Sequence, residues 1–548
     1  MNREERNDAA GGETEPAIWA VAGAEEGDKP RAAIRTEQGD TVFILKRKRK
    51  QKGKDKPEEP QEAAEPVPVP KSLHEVRKFL EREAGLDKSF DVIFREMKFG
   101  GRDTGLYVLN GFAKDEVLTL ILNRLSLLGP DELEPMALRS FLREYIPHIQ
   151  VKVATDMRMV INEVLVGASA LFVDHEDRAL VIDTKQYPMR TTEEPDLERV
   201  VRGSRDGFVE TLLTNITLVR RRLRDPKLTY EVMEAGLRTK TSICVGYIED
   251  IADPDLVRSI KQKIAEVKLD GLPLAEKQLE EALIGKGWNP FPLVRYSERP
   301  DVVCAHLLEG HIIVFVDTSP SVMMLPSTFF HHLQHAEEYR QTPFIGSYIR
   351  WVRYIGILAS LFALPLWYLI VSTGNKPPGL EFLGPEKLGA IPLVIQFALV
   401  EIGIDLMRLA AVHTPTPLAT AMGLIAAILI GDIAVKAGLF NNEIILVMSV
   451  AAIGMFATPS YELSLANRIV RLSLLIACGI FGVAGFIIGS TLWLMLLIAS
   501  KSYASPYMWP FIPFNAMAVF DLIVRRPVLS AKRRMSLTKP IDRTRQPT

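Results

Sequence analysis

Apolar residues fill most positions from about residue 350 to residue 500, whereas polar and apolar positions alternate in the part of the chain before residue 350. A membrane-spanning helix needs about 20 consecutive apolar residues. Five apolar runs are candidates: 352–372, 388–412, 418–436, 443–458 and 469–500. The pattern therefore predicts an all-α polytopic transmembrane domain over residues 346–515.

The number of membrane crossings is predicted from the flanking charges. Arg350 and Arg353 precede the first run, and a basic tail covers residues 516–548. Since basic residues favour the cytoplasmic side, both flanks are expected there, which requires an even number of crossings, four or six. Five runs fit this number only if 469–500 folds as a helical hairpin or if one run is re-entrant, for which 388–412 is the best candidate.

The part before residue 350 has the periodicity of a mixed helical and stranded fold. Ser72 with Glu75 resembles a capping box that opens a helix. Further patterns predict several helices and strands. The predicted helices are 115–128, 131–146, 154–166, 207–223 and 254–264, and the predicted strands are 168–173, 179–183 and 241–247. The fold expected here is a cytoplasmic α/β region.

One internal similarity suggests a division of this region. The strings LVG at 165–167 and LFVD at 171–174 are echoed by LEG at 308–310 and VFVD at 314–317, at a constant offset of 143 residues. A helix, a capping glycine and two strands form a common unit, so chance similarity is one interpretation. The other is two related α/β subdomains, for which we expect the bounds 72–250 and 251–345.

The first 71 residues have the composition of a disordered tail. They contain the basic run KRKRK at 46–50 and the proline-rich run PVPVP at 66–70. Such a segment buries too little apolar surface to offset the entropy of ordering. With a net charge of -1 for the whole chain, no nucleic-acid partner is predicted. The N-terminus lacks the apolar core of a signal peptide, so the soluble part is expected on the cytoplasmic side.

The soluble part contains no recognisable catalytic or nucleotide-binding motif. Neither a GxxxxGK[ST] loop nor a GxSxG or CxxC motif is found in the sequence. Three histidines, His331, His332 and His335, lack a supporting acidic residue or cysteine, so no metal site is predicted. The sequence thus predicts a protein that is not an enzyme and that uses no cofactor.

Charged residues inside the apolar runs are the strongest functional signal. A charge in hydrocarbon costs at least about 2.5 kcal/mol. Glu401, Asp405 and Arg408 share one stripe of a helix by their spacing, and Asp432 lies in the next run. The stripe is either a structural salt-bridge network or the lining of an ion path or subunit interface, while Asp432 could instead extend toward Lys436 at the helix end.

A proline-rich break follows this stripe. His413, Thr414, Pro415, Thr416 and Pro417 interrupt the helical pattern between two apolar runs. The break is interpreted as a tight interfacial loop, although broken helices often lie beside substrate or ion sites.

Three strings resemble the spore germination receptor A-subunit family. They are VRGSRDGFVE at 201–210, PFP with RYSERPD at 290–301, and ATPSYEL at 457–463. The segment 401–432, with HTPTP at 413–417, most resembles one branch of that family. The resemblance covers about residues 75–530 and leaves out the N-terminal tail.

The resemblance implies a protein of the spore inner membrane in endospore-forming bacteria, with both termini on the cytoplasmic, spore-core side. Members of this family resemble oligomeric pore-forming subunits without enzymatic activity. They work with transporter-like and lipoprotein subunits, so the expected partners are copies of the chain, other membrane proteins of the germination machinery and the lipid bilayer.

Two functional hypotheses follow. In the first, the chain is an oligomeric ion-channel-forming subunit for monovalent cations, and Glu401 and Asp405 contribute to an acidic ring. In the second, it is a non-conducting membrane scaffold that organises other germination proteins. A transporter would favour inverted repeats in the membrane part, and the sequence gives no sign of them.

Overall fold

The computed structural model describes residues 33–35, 41–43, 66–130, 133, 137–187, 198–285, 287–374, 384, 391–413, 423–424, 433–503 and 505–546. The chain divides into two units, Met1–Glu65 and Pro66–Thr548. The described residues of the first unit form two antiparallel strands, β1 (Ala33–Arg35) and β2 (Thr41–Phe43). Packed structure in the second unit begins ahead of the expected residue 72, because Val69 is buried.

The first repeat, Leu73–Ile182, is an antiparallel sheet with helices on both faces. Its strands are β3 (Val92–Phe99), β4 (Arg102–Leu109), β5 (Val151–Ala154), β6 (Ser169–Val173) and β7 (Ala179–Ile182). Its helices are α1 (Leu73–Glu83), α2 (Asp115–Ser126), α3 (Ala137–Ser140) with the π-helical turn Phe141–Tyr145, and α4 (Met157–Leu165). The strand order is β3-β4-β6-β7-β5.

The second repeat, Leu212–Leu325, has the same architecture. Its strands are β8 (Leu228–Ala235), β9 (Thr241–Ile248), β10 (Arg295–Ser297), β11 (Ile312–Val316) and β12 (Val322–Leu325). Its helices are α5 (Leu212–Arg222), α6 (Pro254–Ala265), α7 (Ala275–Ile284) and α8 (Pro300–Leu308). The strand order, β8-β9-β11-β12-β10, matches that of the first repeat.

Both faces of each sheet are buried along the central strands β6, β7, β11 and β12, which explains their continuous apolar runs. In β11, the side chains of Ile313 and Phe315 pack toward α5 and α8. The alternate residues Ile312, Val314 and Val316 pack toward α6 and α7. Each repeat is therefore a three-layer sandwich of helices, sheet and helices.

The two repeats agree in detail at the predicted offset. Helix α4 and strands β6 and β7 correspond to α8, β11 and β12, each shifted by 143 residues. In the first repeat Leu73 N donates to Asp174 Oδ1 at 3.2 Å, and in the second Leu212 N donates to Asp317 Oδ1 at 3.2 Å. This agreement favours related units over chance similarity.

The expected boundary at residue 250 is wrong. Strands β8 and β9 precede residue 250, yet β9 pairs with β11 of the second sheet. The second repeat therefore begins with α5, well before the expected boundary.

Three predicted helices also differ from the structure. The predicted helix 154–166 is shorter, because Val151–Ala154 forms the strand β5. The predicted helix 207–223 begins only at Leu212. Of the predicted helix 131–146, the described part contains α3 and the π-helical turn, while residues 131, 132 and 134–136 lie outside the described residues.

A largely helical region follows the second repeat. Its helices are α9 (Ala336–Arg340), α10 (Pro343–Ser372), α11 (Leu393–His413), α12 (Ala434–Lys436), α13 (Asn442–Phe456) and α14 (Tyr461–Ala499). The 3₁₀ helix Phe329–Leu333 precedes them. Among the helices that the structure describes, α10 and α14 are long and apolar enough to cross a membrane. We call α10, α11, α13 and α14 the helical bundle.

Helix α14 is a hairpin with two arms. The backbone leaves the helical conformation at Gly482, where φ is 59° and ψ is -135°. Trp493 Nε1 in the second arm donates to Ser473 Oγ in the first at 2.7 Å. In a straight helix these residues would lie about 30 Å apart. The hairpin alternative for the last apolar run is thus the one observed.

The C-terminal segment packs back on the second repeat. It contains the short strands β13 (Lys501–Ser502) and β14 (Ser505–Pro506), helix α15 (Ala516–Ile523) and the 3₁₀ helices Val528–Ser530 and Ser536–Thr538. Arg534 Nε donates to Leu308 O at 2.7 Å, and Thr538 Oγ1 donates to Glu309 O at 2.6 Å. The basic tail therefore contacts the C-terminal end of α8.

Candidate functional site: a charge network in the helical bundle

Two helices bring opposite charges together inside the helical bundle. Glu401 and Asp405 lie one turn apart on α11, and Arg468 and Arg471 lie three residues apart on the first arm of α14. Such spacings place both members of each pair on one helix face. Glu401 and Arg471 are each only 1% exposed, so the contact between their side chains is made away from solvent.

Arg471 connects three helices. Its Nη2 group donates to Glu401 Oε1. Its Nη1 group donates to Ser360 O at 2.9 Å and to Ser360 Oγ at 3.1 Å. Since Ser360 belongs to α10 and Glu401 to α11, a single side chain of α14 fixes the packing of both helices.

Arg468 forms the second pair. Its Nη1 group contacts the carboxylate of Asp405, and its Nε lies 3.8 Å from Glu401 Oε1. The Asp405 side chain is 37% exposed, whereas that of Glu401 is 2% exposed. The pairs thus run from a fully buried position to one that is open on one side.

Arg408 lies one turn further along α11 and has a different contact. Its guanidinium carbon is 4.4 Å from the ring centre of Tyr461, at the start of α14. This geometry is a cation–π interaction. We call Glu401, Asp405, Arg408, Arg468 and Arg471 the charge network.

The charge network is close to neutral. Two carboxylates face three guanidinium groups, so the formal sum is +1. Within the described part of the chain, Glu401 Oε2 and Arg471 Nε are buried without a hydrogen-bond partner. A buried pair is costly to desolvate unless its remaining polar atoms are satisfied. The arrangement can hold helices together, and it can also supply polar groups to a path between them.

The sequence predicted three of the five residues of this network. Glu401, Asp405 and Arg408 were expected on one stripe, but their pairing with Arg468 and Arg471 was not. The available signal was Arg471, a charge two residues inside the apolar run 469–500. Asp432, Thr414, Pro415 and Pro417 lie outside the described residues, and His413 is the last residue of α11.

The three strings that resemble the germination family meet near the start of α14. Arg299 Nη2 donates to Ser204 O at 3.1 Å, and Phe208 N donates to Glu298 O at 2.8 Å. The third string contributes Tyr461, which borders the same cavity as Glu298. These strings therefore form one region where the second repeat meets the helical bundle.

The apolar helices of membrane-spanning length that follow the double α/β repeat suggest a membrane protein. Residues 80–537 match the family described as Bacillus/Clostridium GerA spore germination protein. The chain belongs to this family, and this membership supports a role in spore germination.

Named relatives agree with this assignment. Stage V sporulation protein AF of Bacillus subtilis is 45% identical over 471 residues, which cover 86% of this chain and 96% of that protein. It represents the branch that the segment 401–432 indicates. Spore germination protein KA of Bacillus subtilis is 29% identical, over 89% of this chain and 90% of that protein. These names describe sporulation and germination proteins rather than enzymes.

One solved structure is also similar to part of the chain. It is the N-terminal domain of the A subunit of the Bacillus megaterium spore germinant receptor GerK3, at 24% identity and a TM-score of 0.38. The match covers 48% of this chain and 98% of that domain.

Proposed function

We propose that the chain is an oligomeric, channel-forming subunit that conducts monovalent cations across the membrane of bacterial spores during germination. The charge network carries this proposal. Ionisable residues among apolar helices are rare and commonly mark an ion path. The family membership supports the germination part of the proposal.

The exposure of the carboxylates suggests how ions would meet the network. Asp405 is open on one side, so in an oligomer it can face a shared path, where carboxylates favour cations. Arg468 and Arg471 neutralise both carboxylates in the conformation described. Conduction therefore requires these ion pairs to separate, and the paired arrangement corresponds to a closed path.

The proposed location is the spore inner membrane, with both termini on the core side and an even number of crossings. The hairpin of α14 supports this topology because it returns residue 499 to the end of the bundle where residue 461 lies. There Arg350 Nη1 donates to Leu522 O at 3.0 Å, which joins the start of α10 to the C-terminal segment. The proposed partners are further copies of the chain and other membrane proteins of the germination machinery.

The test is K⁺ flux through the purified protein in liposomes, with and without its membrane partners. The variant carries Glu401→Gln and Asp405→Asn, and the matched control carries Glu443→Gln, which removes an acidic group from the first turn of α13. We expect flux to fall in the double variant and to persist in the control. Unchanged flux in a double variant that assembles normally would exclude the two carboxylates from the path.

A second candidate function, a non-conducting scaffold, is favoured by the pairing of both carboxylates with arginines. In that case the network only fixes α10, α11 and α14. A scaffold tolerates joint neutralisation of Glu401 and Arg471 but loses its partners when the two repeats are deleted. Absence of flux in every combination, from folded and oligomeric protein, would favour the scaffold.

A further inference from the structure

A cavity of about 410 Å³ lies between the second repeat and the first turns of α14. Its lining includes Arg295, His331 and His332 on one side and Leu465, Ala466 and Ile469 of α14 on the other. We call it the junction cavity. It borders the charge network, because Tyr461 lines the cavity and also contacts Arg408.

A buried guanidinium group with one unpaired nitrogen lies in its wall. Arg295 is 8% exposed, and its Nη1 group has no hydrogen-bond partner within the described part of the chain. The Nη2 group is 3.4 Å from Gln334 O. A buried donor that makes no hydrogen bond is costly to leave unpaired. The Arg295 guanidinium therefore has unused capacity to bind an acceptor.

Two histidines beside Arg295 add polar groups without adding charge. Thr328 N donates to His331 Nδ1 at 3.3 Å, so the neutral ring carries its proton on Nε2, where it can donate. His332 Nε2 is buried and has no partner among the described residues. Burial lowers the pKa of His331, and burial lowers the pKa of His332 to about 3.

The lining also contains four acidic residues, Glu198, Glu276, Glu298 and Glu462, and one lysine, Lys277. Of these, Glu198 interacts electrostatically with Arg295. Glu198 accepts a hydrogen bond from Ser297 Oγ, and burial raises the pKa of Glu198 despite the opposing effect of Arg295. Glu276 and Glu462 lie at more open positions of the lining. Their charges at the opening repel anions, and they repel anions with more than one negative charge more strongly than a monocarboxylate.

The apolar side of the cavity suggests an organic ligand. Leu465, Ala466 and Ile469 contribute aliphatic side chains to the same lining as Arg295. Small-molecule sites commonly combine an apolar wall with a few polar groups that fix orientation. A guanidinium group matches the geometry of a carboxylate.

We propose that the junction cavity binds a small organic monocarboxylate, with its carboxylate on Arg295 and its aliphatic part against Leu465, Ala466 and Ile469. This inference goes beyond ion conduction. Its test does not depend on flux, so binding and conduction can fail separately.

The experiment measures binding of butyrate to the full-length protein in detergent micelles by saturation-transfer NMR. Three comparison probes are used. Butyramide and butylammonium keep the aliphatic chain but are neutral and positively charged, respectively, whereas inorganic phosphate is an anion without an aliphatic chain. We expect butyrate alone to bind. Arg295→Gln is expected to weaken binding by about ten- to a hundredfold, the equivalent of a charged hydrogen bond.

Two further variants separate binding from folding. Leu465→Trp fills the apolar side without changing Arg295 and is expected to abolish butyrate binding. Arg238→Gln removes an exposed arginine that pairs with Asp270 and should leave binding unchanged. The proposal is overturned if butyrate does not bind the wild-type protein, if butyramide or phosphate binds equally well, or if folded Leu465→Trp binds as the wild type does.

Discussion

Replacement of Glu401 by glutamine removes the counter-charge of Arg471 inside the helical bundle. Both residues are 1% exposed, and loss of one member of a buried pair costs about 3–5 kcal/mol. Arg471 keeps its hydrogen bonds to Ser360 at 2.9 and 3.1 Å. These bonds satisfy part of the stranded guanidinium group, so we expect a loss near the lower end, about 3 kcal/mol.

Two companion variants make this value interpretable. Glu401→Gln combined with Arg471→Gln removes both charges, and its stability should lie within about 1 kcal/mol of the wild type, because paired removal is often neutral. Asp405→Asn changes a carboxylate that is 37% exposed. Its partner Arg468 is 7% exposed but lies 3.8 Å from Glu401 as well. We therefore expect a smaller loss than for Glu401→Gln, and this variant is the matched control.

The assay is unfolding by SDS in mixed micelles, followed by tryptophan fluorescence, for the wild type, these three variants and the single variant Arg471→Gln. Trp367 and Trp493 lie in α10 and α14 and report on bundle packing. If the double variant lost as much free energy of unfolding as the two single variants together, the interaction between Glu401 and Arg471 would be refuted. Equal losses for Glu401→Gln and Asp405→Asn would refute the assigned difference in burial.

Three further predictions concern other parts of the fold. Asp91→Asn should cost about 3–5 kcal/mol in thermal unfolding of the full chain, because Asp91 and Arg220 are buried and join the two repeats at 2.7 Å. Gly485→Ala should cost about 1–3 kcal/mol in SDS unfolding, because its Cβ would collide with Ala477 O across the hairpin; an unchanged midpoint would contradict that close approach. Burial lowers the pKa of His332 to about 3 in the folded state, whereas in the unfolded state the histidine has its ordinary pKa of about 6.5. Between about pH 7 and about pH 5.5 the unfolded state therefore binds a proton that the folded state does not, and the free energy of unfolding falls by about 1 kcal/mol. Thermal unfolding of His332→Gln should lack that part of the pH dependence.

The elements that could be predicted from sequence were those with a strong local signal. Strands β6 and β7 are continuous apolar runs, and the C-cap residue of α4, Val166, is followed by Gly167, whose φ is 106°. Strand β8 was not predicted, because Glu231 and Glu234 interrupt its apolar pattern. Its position at the sheet edge, which is set by pairing with β9, tolerates these charges.

The candidate site shows the same division between local and distant information. The spacing of Glu401 and Asp405 was sufficient to place them on one stripe of α11. Their partners lie 63 to 70 positions away in sequence, on the first arm of α14. Only the packing of the helices determines which arginine meets which carboxylate, and helical periodicity contains no such information.

The hairpin of α14 also has a mechanical consequence. Because the second arm turns back at Gly482, the second repeat holds the far end of this helix, with Asn289 Nδ2 donating to Ser500 Oγ at 2.8 Å. Just after the second repeat, Glu338 accepts a hydrogen bond from Arg350 Nε of α10 at 2.6 Å. A rotation of this repeat, driven by a partner or a ligand, would therefore move α10 and α14 together. The movement would strain the contacts of Arg471, the side chain that joins these helices to α11.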